Sequence, residues 1–244
     1  PTKASLLAFR GTYELAQRRH VTVLGAAGDW GATSQTAKGT YYDRRVINWP
    51  ASDPLVTAVG GTQILLDAAG KQVSPTRVWN DDGTTVPPSA GGGGVSIIFA
   101  RPSWQIGVAA VVGKHRGIPD VSMDASCNPG AYVYASYPGT FGGESPVCGT
   151  SLASPLFAGI VALADQLAGH DLGLLNPTLY RLGADHAPGL VDVTHGNNSV
   201  RIPLKDGTAV VTGFAAVKGY DLASGWGTVK AAALVPELAG TSLP

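Results

Sequence analysis

A helical pattern followed at once by a continuous apolar run constrains the fold of this chain more than any other feature. Residues 5–19 carry apolar side chains at helical spacing, and residues 21–26 form a compact apolar run of strand length. A strand without a polar face is typical of a parallel sheet that helices cover. The sequence therefore predicts an α/β fold with a mostly parallel central sheet and helices on both faces.

The rest of the chain continues this alternation. A second apolar strand is predicted over residues 55–59, closed by Gly60 and Gly61, and a hairpin over residues 63–79. Residues 81–94 form a polar loop that ends in four glycines. A linker between domains is possible there, but the run is short and apolar structure follows immediately. The 244 residues are therefore expected to form a single domain.

Charge and hydropathy limit the possible partners. The 17 basic residues balance the 17 acidic ones, so no electrostatic feature favours nucleic acid or an anionic membrane. The longest apolar helix candidate, residues 156–167, is much shorter than the roughly 20 residues of a membrane span. We therefore expect a core helix, with neither a nucleic-acid nor a membrane partner.

The two cysteines, Cys127 and Cys148, lie in neither a CxxC motif nor a Cys/His cluster, which argues against zinc. They bracket a short segment, so a disulfide is geometrically possible. Two separate buried thiols are the alternative. The bridge is favoured only because later features indicate export.

Residues 149–155, with the sequence GTSLASP, carry the main chemical signal. A helix that begins at Ser151 would offer free N–H groups and the positive end of the helix dipole beside an exposed hydroxyl. That is what a nucleophilic serine requires, because its backbone N–H must face a developing oxyanion. Taken alone, Gly-Thr-Ser is more often a simple helix N-cap.

The complete seven-residue string closely resembles the nucleophile segment of the subtilisin-like clan. Subtilisin itself needs a histidine base upstream in a Gly-His-Gly context, which none of the five histidines has. Residues 24–31 read LGAAGDWG, with Asp29 where subtilisins carry an asparagine. This pattern resembles the sedolisins, the serine-carboxyl peptidases.

Further blocks resemble the sedolisins in family order along nearly the whole chain. They are PASDPLVTAVGGT (50–62), GGGVS (92–96) with Phe99, Arg101-Pro102 and Trp104-Gln105, RGIPDVS (116–122), Asp192-Val193 with GNN (196–198), and GYD (219–221) with GWG (225–227).

The resemblance implies that Ser151 is the nucleophile and Asp29 an oxyanion-hole residue. An ionised carboxylate would repel an oxyanion, whereas a protonated carboxyl group donates a hydrogen bond to it. The expected activity is therefore the hydrolysis of peptide bonds in protein or peptide substrates at acid pH, by a secreted endopeptidase.

The resemblance also implies one structural calcium ion. Its ligands would be the side chains of Asp192 and Asp221 and the backbone carbonyls of Val193, Val217 and Gly219. Oxygen ligands of this kind suit calcium. Residues 1–190 would then form the α/β core and residues 191–230 the calcium-binding region. Val217 stands where the family usually has glycine, a mild departure because a carbonyl ligand needs no particular side chain.

The general base that the family uses is missing from this chain. Sedolisins carry it as Glu-x-x-x-Asp upstream of the oxyanion aspartate, but Glu14 is the only acid before Asp29, and Arg18 stands four residues after it. We therefore expect the C-terminal two-thirds of a catalytic domain, inactive alone, that needs an N-terminal segment of the same precursor. The alternatives are a catalytically dead subtilisin-fold binding module and a divergent subtilisin whose Asp and His lie upstream.

Overall fold

The computed structural model describes residues 2–83, 88–128, 130–137, 139 and 142–241. Its helices are α1 (Lys3–Ala8), α2 (Arg10–Arg18), α3 (Ala109–Val112), α4 (Thr150–Ala168), α5 (Asn176–Ala184) and α6 (Ala231–Ala239), with a 3-10 helix at Ser103–Val108. Its strands are β1 (Leu24–Ala26), β2 (Thr57–Gln63), β3 (Arg77–Val78), β4 (Gly94–Ala100), β5 (His115–Ile118), β6 (Val121–Asp124), β7 (Ala131–Ala135), β8 (Gly143–Val147), β9 (Leu190–Val191), β10 (Val200–Leu204), β11 (Gly207–Val211) and β12 (Thr228–Val229).

A sheet built around β2 organises the molecule. Strands β1 and β6 pair with β2 in parallel, and β3 pairs with its end in antiparallel orientation. All seven residues of β2 are buried, which is typical of a parallel strand that is covered on both faces. The predicted α/β fold with a mostly parallel central sheet is confirmed.

Helix α4 forms the main core with this sheet. Its inner side chains Phe157, Val161 and Ala164 are buried in one cluster with Val59 of β2 and Val121 of β6. Burying a side chain as large as phenylalanine stabilises a fold by about 1.5–3 kcal/mol.

The expected length of this apolar helix was wrong. α4 has 19 residues, and by length and composition alone it could cross a membrane. Its buried inner face explains part of this apolar character, as in core helices generally.

Two element boundaries differ from the sequence prediction. Strand β2 begins at Thr57 and runs through Gly60 and Gly61, which were expected to close it. A Cβ on Gly61 would lie 2.8 Å from the Trp79 ring, so close packing and not a turn requires this glycine. The predicted first helix is two helices that meet at Phe9, whose ring packs against Trp49 at 5.1 Å.

The glycine run is packed and is not a linker. Residues 91–94 are buried. The Gly92 N–H donates to the Gly28 carbonyl at 2.7 Å, and a Cβ on Gly92 would lie 2.2 Å from the Ala27 oxygen. Residues 84–87 of the predicted polar loop lie outside the described residues.

Cys127 and Cys148 form a disulfide, so the favoured pairing is confirmed. The bridge joins the start and the end of the antiparallel hairpin β7–β8. It therefore holds this hairpin directly before the segment that begins α4.

The RGIPD block contains a buried ion pair. Arg116 and Asp120 are fully buried, and the two guanidinium NH2 groups donate to the two carboxylate oxygens. Burial alone would lower the pKa of Arg116, but the Asp120 charge outweighs it and raises that pKa above its usual value. Tyr180 also donates to Asp120, at 2.9 Å. Removing one member of such a pair costs about 3–5 kcal/mol, which makes this block structural.

Candidate active site

Asp29 lies at the carboxyl end of the parallel sheet, directly after β1. Gly28 precedes it with φ +115°, a backbone conformation that glycine adopts easily and other residues avoid. The carboxyl ends of parallel strands are where open α/β sheets bind their ligands. The half-buried side chain of Asp29 therefore lies at the edge where a site is expected.

Ser151 lies in the first turn of α4 and is exposed. The helix begins one residue earlier than predicted, at Thr150. Within the part of the chain that the structure describes, the Ser151 N–H has no hydrogen-bond acceptor, as expected in a first helical turn. The free amide and the positive helix end give this position an affinity for negative charge.

The structure brings Asp29 and the start of α4 together. The Thr150 N–H and the Thr150 hydroxyl both donate to Asp29 Oδ1, each at 2.7 Å. Thr150 directly precedes Ser151, although 121 residues separate it from Asp29 in the chain. Asp29 and Ser151, the two catalytic residues that the sequence predicts, therefore both lie where the end of β1 meets the start of α4.

Gly149 makes this close approach possible. Its φ of +88° favours glycine, and a Cβ at this position would lie 2.8 Å from Asp29 Oδ2. A side chain there would push against the carboxyl group. The glycine thus keeps the space beside Asp29 Oδ2 open, next to the exposed serine.

A backbone brace behind Asp29 was not predicted from the sequence. The Ala90 N–H donates to the Asp29 carbonyl at 3.0 Å, and the Gly31 N–H donates to the Ala90 carbonyl at 2.8 Å. These two hydrogen bonds hold the Asp29 loop against the segment before the glycine run. The four glycines were a visible signal for close backbone packing, but they did not identify the partner.

A second carboxyl group, that of Asp124, ends β6 at the same edge of the sheet. Burial raises its pKa to about 6, although a hydrogen bond from the Ile64 N–H opposes the shift. The next residue, Ala125, accepts a hydrogen bond from the Gly149 N–H at 2.7 Å. Sequence reasoning missed Asp124. Its position at the end of a short strand was the available signal.

The predicted calcium ligands lie on two segments, residues 192–193 and 217–221, which a hydrogen bond between Asp192 and Gly219 brings together. Asp192 Oδ2 accepts the Gly219 N–H at 2.9 Å, and Asp221 Oδ2 accepts the Val217 N–H at 2.9 Å. Asp192 is exposed, whereas Asp221 is buried and also accepts the N–H groups of Ala223 and Ser224. Burial raises the pKa of Asp221, and these backbone hydrogen bonds oppose the shift.

The donor set in this region suits a hard cation. Among the described residues, no three His, Cys, Asp or Glu side chains are grouped to hold a metal ion. Backbone carbonyls would have to complete a shell around Asp192 and Asp221, which is the mixture that calcium accepts. The buried negative charge of Asp221 would gain from such a cation.

Within the described part of the chain, neither Glu14 nor any histidine is hydrogen-bonded to Asp29 or Thr150. All five histidines are exposed, including His20, for which an exposed position was expected. Glu14 is exposed on α2, 3.9 Å from Arg10. Among the described residues the site therefore has a nucleophile candidate and the carboxyl groups of Asp29 and Asp124, and no side chain is hydrogen-bonded to the Ser151 hydroxyl.

Comparison with known proteins finds relatives that match most of this chain, although no protein-family model matches it. It is 38 % identical to kumamolisin of Bacillus sp. (strain MN-32) over 206 residues, which are 81 % of this chain and 34 % of that protein. It is 36 % identical to sedolisin of Pseudomonas sp. (strain 101) over 190 residues, 77 % of this chain and 30 % of that protein. The chain thus spans about a third of the length of these relatives.

A solved structure agrees with these relatives. Pseudomonas sedolisin, described as a serine-carboxyl proteinase complexed with pseudo-iodotyrostatin, is 30 % identical and superposes with a TM-score of 0.82. The match covers 98 % of this chain and 61 % of that chain. The subtilisin-like fold, the sequence relatives and the order of the sequence blocks all agree with one another. We conclude that this chain belongs to the sedolisin family and corresponds to part of its relatives' length.

Proposed function

We propose that this chain is the C-terminal part of a serine-carboxyl endopeptidase that works at acid pH. One observation carries the proposal: the carboxyl group of Asp29 contacts the helix start that presents Ser151. A nucleophile and an oxyanion donor must be neighbours for acyl transfer. The similar Pseudomonas sedolisin structure is described as a serine-carboxyl proteinase, which supports a peptide bond as the bond that is cleaved.

In the proposed mechanism the Ser151 hydroxyl oxygen attacks the carbonyl carbon of the peptide bond, and its proton passes to a general base. The tetrahedral oxyanion accepts hydrogen bonds from the Ser151 N–H and the protonated Asp29 carboxyl group. Collapse breaks the C–N bond, and the amine leaves with the proton from the base. Water then hydrolyses the acyl-enzyme in the reverse sense.

The expected activity at acid pH follows from the proposed role of Asp29. A neutral carboxyl group donates a hydrogen bond, whereas a carboxylate beside an oxyanion would repel it. We therefore expect turnover to fall as the pH rises and Asp29 loses its proton.

The proposal assigns the general base, a Glu-x-x-x-Asp pair, to sequence upstream of residue 1. The match covers 61 % of the Pseudomonas sedolisin chain. The other 39 % of that chain leaves room for such a segment. An open sheet edge supports the same idea. Among the described residues, β1 pairs only with β2, so its other edge is open to a further strand.

The outer face of α4 also supports a missing covering segment. Leu156, Leu163 and Leu167 are exposed there. A groove of about 530 Å³ runs between α4 and the start of β1, lined by apolar residues such as Leu24 and Val161 and by polar ones such as His20 and Asp165. Leu163 and Leu167 line a separate groove against α6, so these exposed leucines and the groove beside β1 lie on different sides of α4. A strand added beside β1 would cover the groove, and further upstream chain would have to cover the leucines.

The test is peptide cleavage at pH 3–7 by a chain extended upstream by its own coding sequence. Ser151→Ala should abolish turnover, by at least about 10³-fold in kcat, because the nucleophile is lost. Ser154→Ala, one helical turn later on the same helix, is the matched control and should retain it. The 244-residue chain alone should give no turnover.

The assay also separates the alternatives. A dead binding module predicts no Ser151-dependent turnover from the extended chain at any pH. A divergent subtilisin predicts a neutral or alkaline optimum and an upstream histidine. Either result would overturn the proposed serine-carboxyl mechanism.

We also propose that Asp192 and Asp221, with the carbonyls of Val193, Val217 and Gly219, bind one structural calcium ion. Binding to the folded chain alone would stabilise it by mass action, so millimolar calcium should raise Tm. Asp192→Asn should weaken this response, whereas Asp206→Asn, an exposed aspartate on another turn, should not. An equal response to magnesium, or none to calcium, would contradict the site.

Secretion is proposed on the disulfide between Cys127 and Cys148. Such bridges persist mainly in oxidising compartments. Protein or peptide substrates are expected, with no nucleic acid and no membrane among the partners.

A further inference from the structure

We propose that Thr150 is a positioning residue that decides which oxygen of the Asp29 carboxyl group carries the proton. The inference rests on the proposed role of Asp29. It assigns a function to Thr150, which has none in the mechanism proposed above. Its basis is a closed set of hydrogen bonds between the end of β1 and the first turn of α4.

The Thr150 hydroxyl makes one hydrogen bond as an acceptor and one as a donor. It accepts the Gly28 N–H at 3.0 Å and donates its single proton to Asp29 Oδ1 at 2.7 Å. Because a hydroxyl has only one proton to donate, the accepted N–H fixes the direction of that donation. The buried side chain of Thr150 is therefore oriented toward Asp29 from both sides.

Asp29 Oδ1 receives a second donor, the Thr150 N–H, also at 2.7 Å. An oxygen that accepts two short hydrogen bonds is a poor place for a proton, since a proton there would face both donors. Within the described part of the chain, Oδ2 has no such donor. The proton of a neutral Asp29 therefore lies on Oδ2.

Oδ2 is also the oxygen beside Gly149, where the absence of a side chain keeps the approach open. A proton on Oδ2 thus faces the space next to Ser151 and can be donated to an oxyanion there. Thr150 supplies this orientation without touching the reacting atoms. Its branched β-carbon restricts the side-chain rotamer, so the hydroxyl is held in place at little further cost in entropy.

The test uses the 244-residue chain and needs no turnover. In a ¹⁵N-labelled sample, the amide proton shift of Thr150 should follow the titration of Asp29, and Asp29→Asn should remove that pH dependence. Thr150→Val removes the hydroxyl donor but keeps the residue-150 amide. Its midpoint should move to higher pH by about one unit, because one hydrogen bond to the charged form is lost. Thr150→Ser, which keeps the hydroxyl, should move it much less.

Thr57→Val is the matched control. Thr57 is a buried threonine on β2 whose hydroxyl has no partner in the described structure, so its loss should leave the residue-150 midpoint unchanged. An unchanged midpoint in Thr150→Val would overturn the proposal, as would a Thr150 amide in the parent chain that does not titrate. If Thr150→Val does not fold, a Thr150→Ser midpoint equal to that of Thr150→Ala would overturn it instead. Failure of the peptidase proposal appears separately, in the Ser151→Ala cleavage assay.

Discussion

Asp124 links the stability of the fold to pH at the scale of a single residue. Its folded-state pKa of about 6 lies above the value near 3.9 of an unfolded aspartate. The folded chain therefore binds this proton more tightly than the unfolded chain does. The stabilising contribution is complete below about pH 4 and is lost as the pH rises through about 6.

We predict that Asp124→Asn removes this pH dependence. An amide keeps the acceptor for the Ile64 N–H and carries no charge, so above pH 6 the variant should be more stable than the parent by about 1 kcal/mol, after allowance for solvent screening. Urea unfolding at pH 4 and pH 7 measures it. The same slope in parent and variant would refute the assignment, and the exposed Asp206→Asn provides the baseline.

Sequence reasoning reached Ser151 and Asp29 because each lies within a distinctive local string. It did not reach the hydrogen bonds of Thr150 or the brace from Ala90, because those contacts join segments far apart in the chain. Asp124 was missed for a related reason. Its raised pKa comes from burial, which only the packed sheet creates.

At the scale of elements, the hairpin β7–β8 depends on its disulfide more than on packing. Tyr132 and Tyr134 of β7 are largely exposed, and a two-stranded hairpin is at best marginally stable alone. The bridge between Cys127 and Cys148 closes this segment and fixes its ends beside Gly149.

We predict that the Cys127→Ala/Cys148→Ala double variant loses about 2–4 kcal/mol of unfolding free energy, as expected for a loop of this length. Hydrogen exchange should accelerate first in the hairpin amides of residues 131–135 and 143–147. Urea unfolding and exchange measure the two effects. An unchanged free energy of unfolding would mean that the hairpin is stable without the disulfide. The parent chain under reducing conditions should behave like the variant.

Helix and strand types were predictable from the sequence, but their ends were not. Pattern alone identified β1, β2 and α4, since buried strands and helices have distinct lengths and periods. From sequence alone, Gly60 and Gly61 indicate a strand end, because glycine usually marks a turn. Here Trp79 packs directly over Gly61, and that tertiary contact has no local signature.

At the scale of the whole molecule, α4 has a buried face and an apolar outer face. Exposed leucines in one patch usually mark a surface that is covered in use. Leu163 and Leu167 line a groove against α6, on a different side of α4 from the groove beside β1, so the leucine patch and the open edge of β1 are two separate features.

We predict that Leu163→Glu affects the two forms of the protein differently. Leu163 is 54 % exposed, so the 244-residue chain should lose less than about 0.5 kcal/mol of unfolding free energy. In the upstream-extended chain the charge would be buried, with a loss of at least about 2 kcal/mol. Val210→Glu, on β11 and 65 % exposed, is the control. Small, equal losses in both forms would show that nothing covers this face.

The contact between Asp29 and Thr150 has a consequence for the unfolded chain. The three segments that meet there come from residues 28–31, 90–92 and 149–151, and loops of this size close late because their entropy cost precedes any gain from contact. A growing or unfolded polypeptide therefore contains the reactive groups only as scattered, unactivated side chains. Under the proposed function, folding is therefore one condition for acyl transfer, because only the folded chain brings Asp29 beside the helix start that presents Ser151.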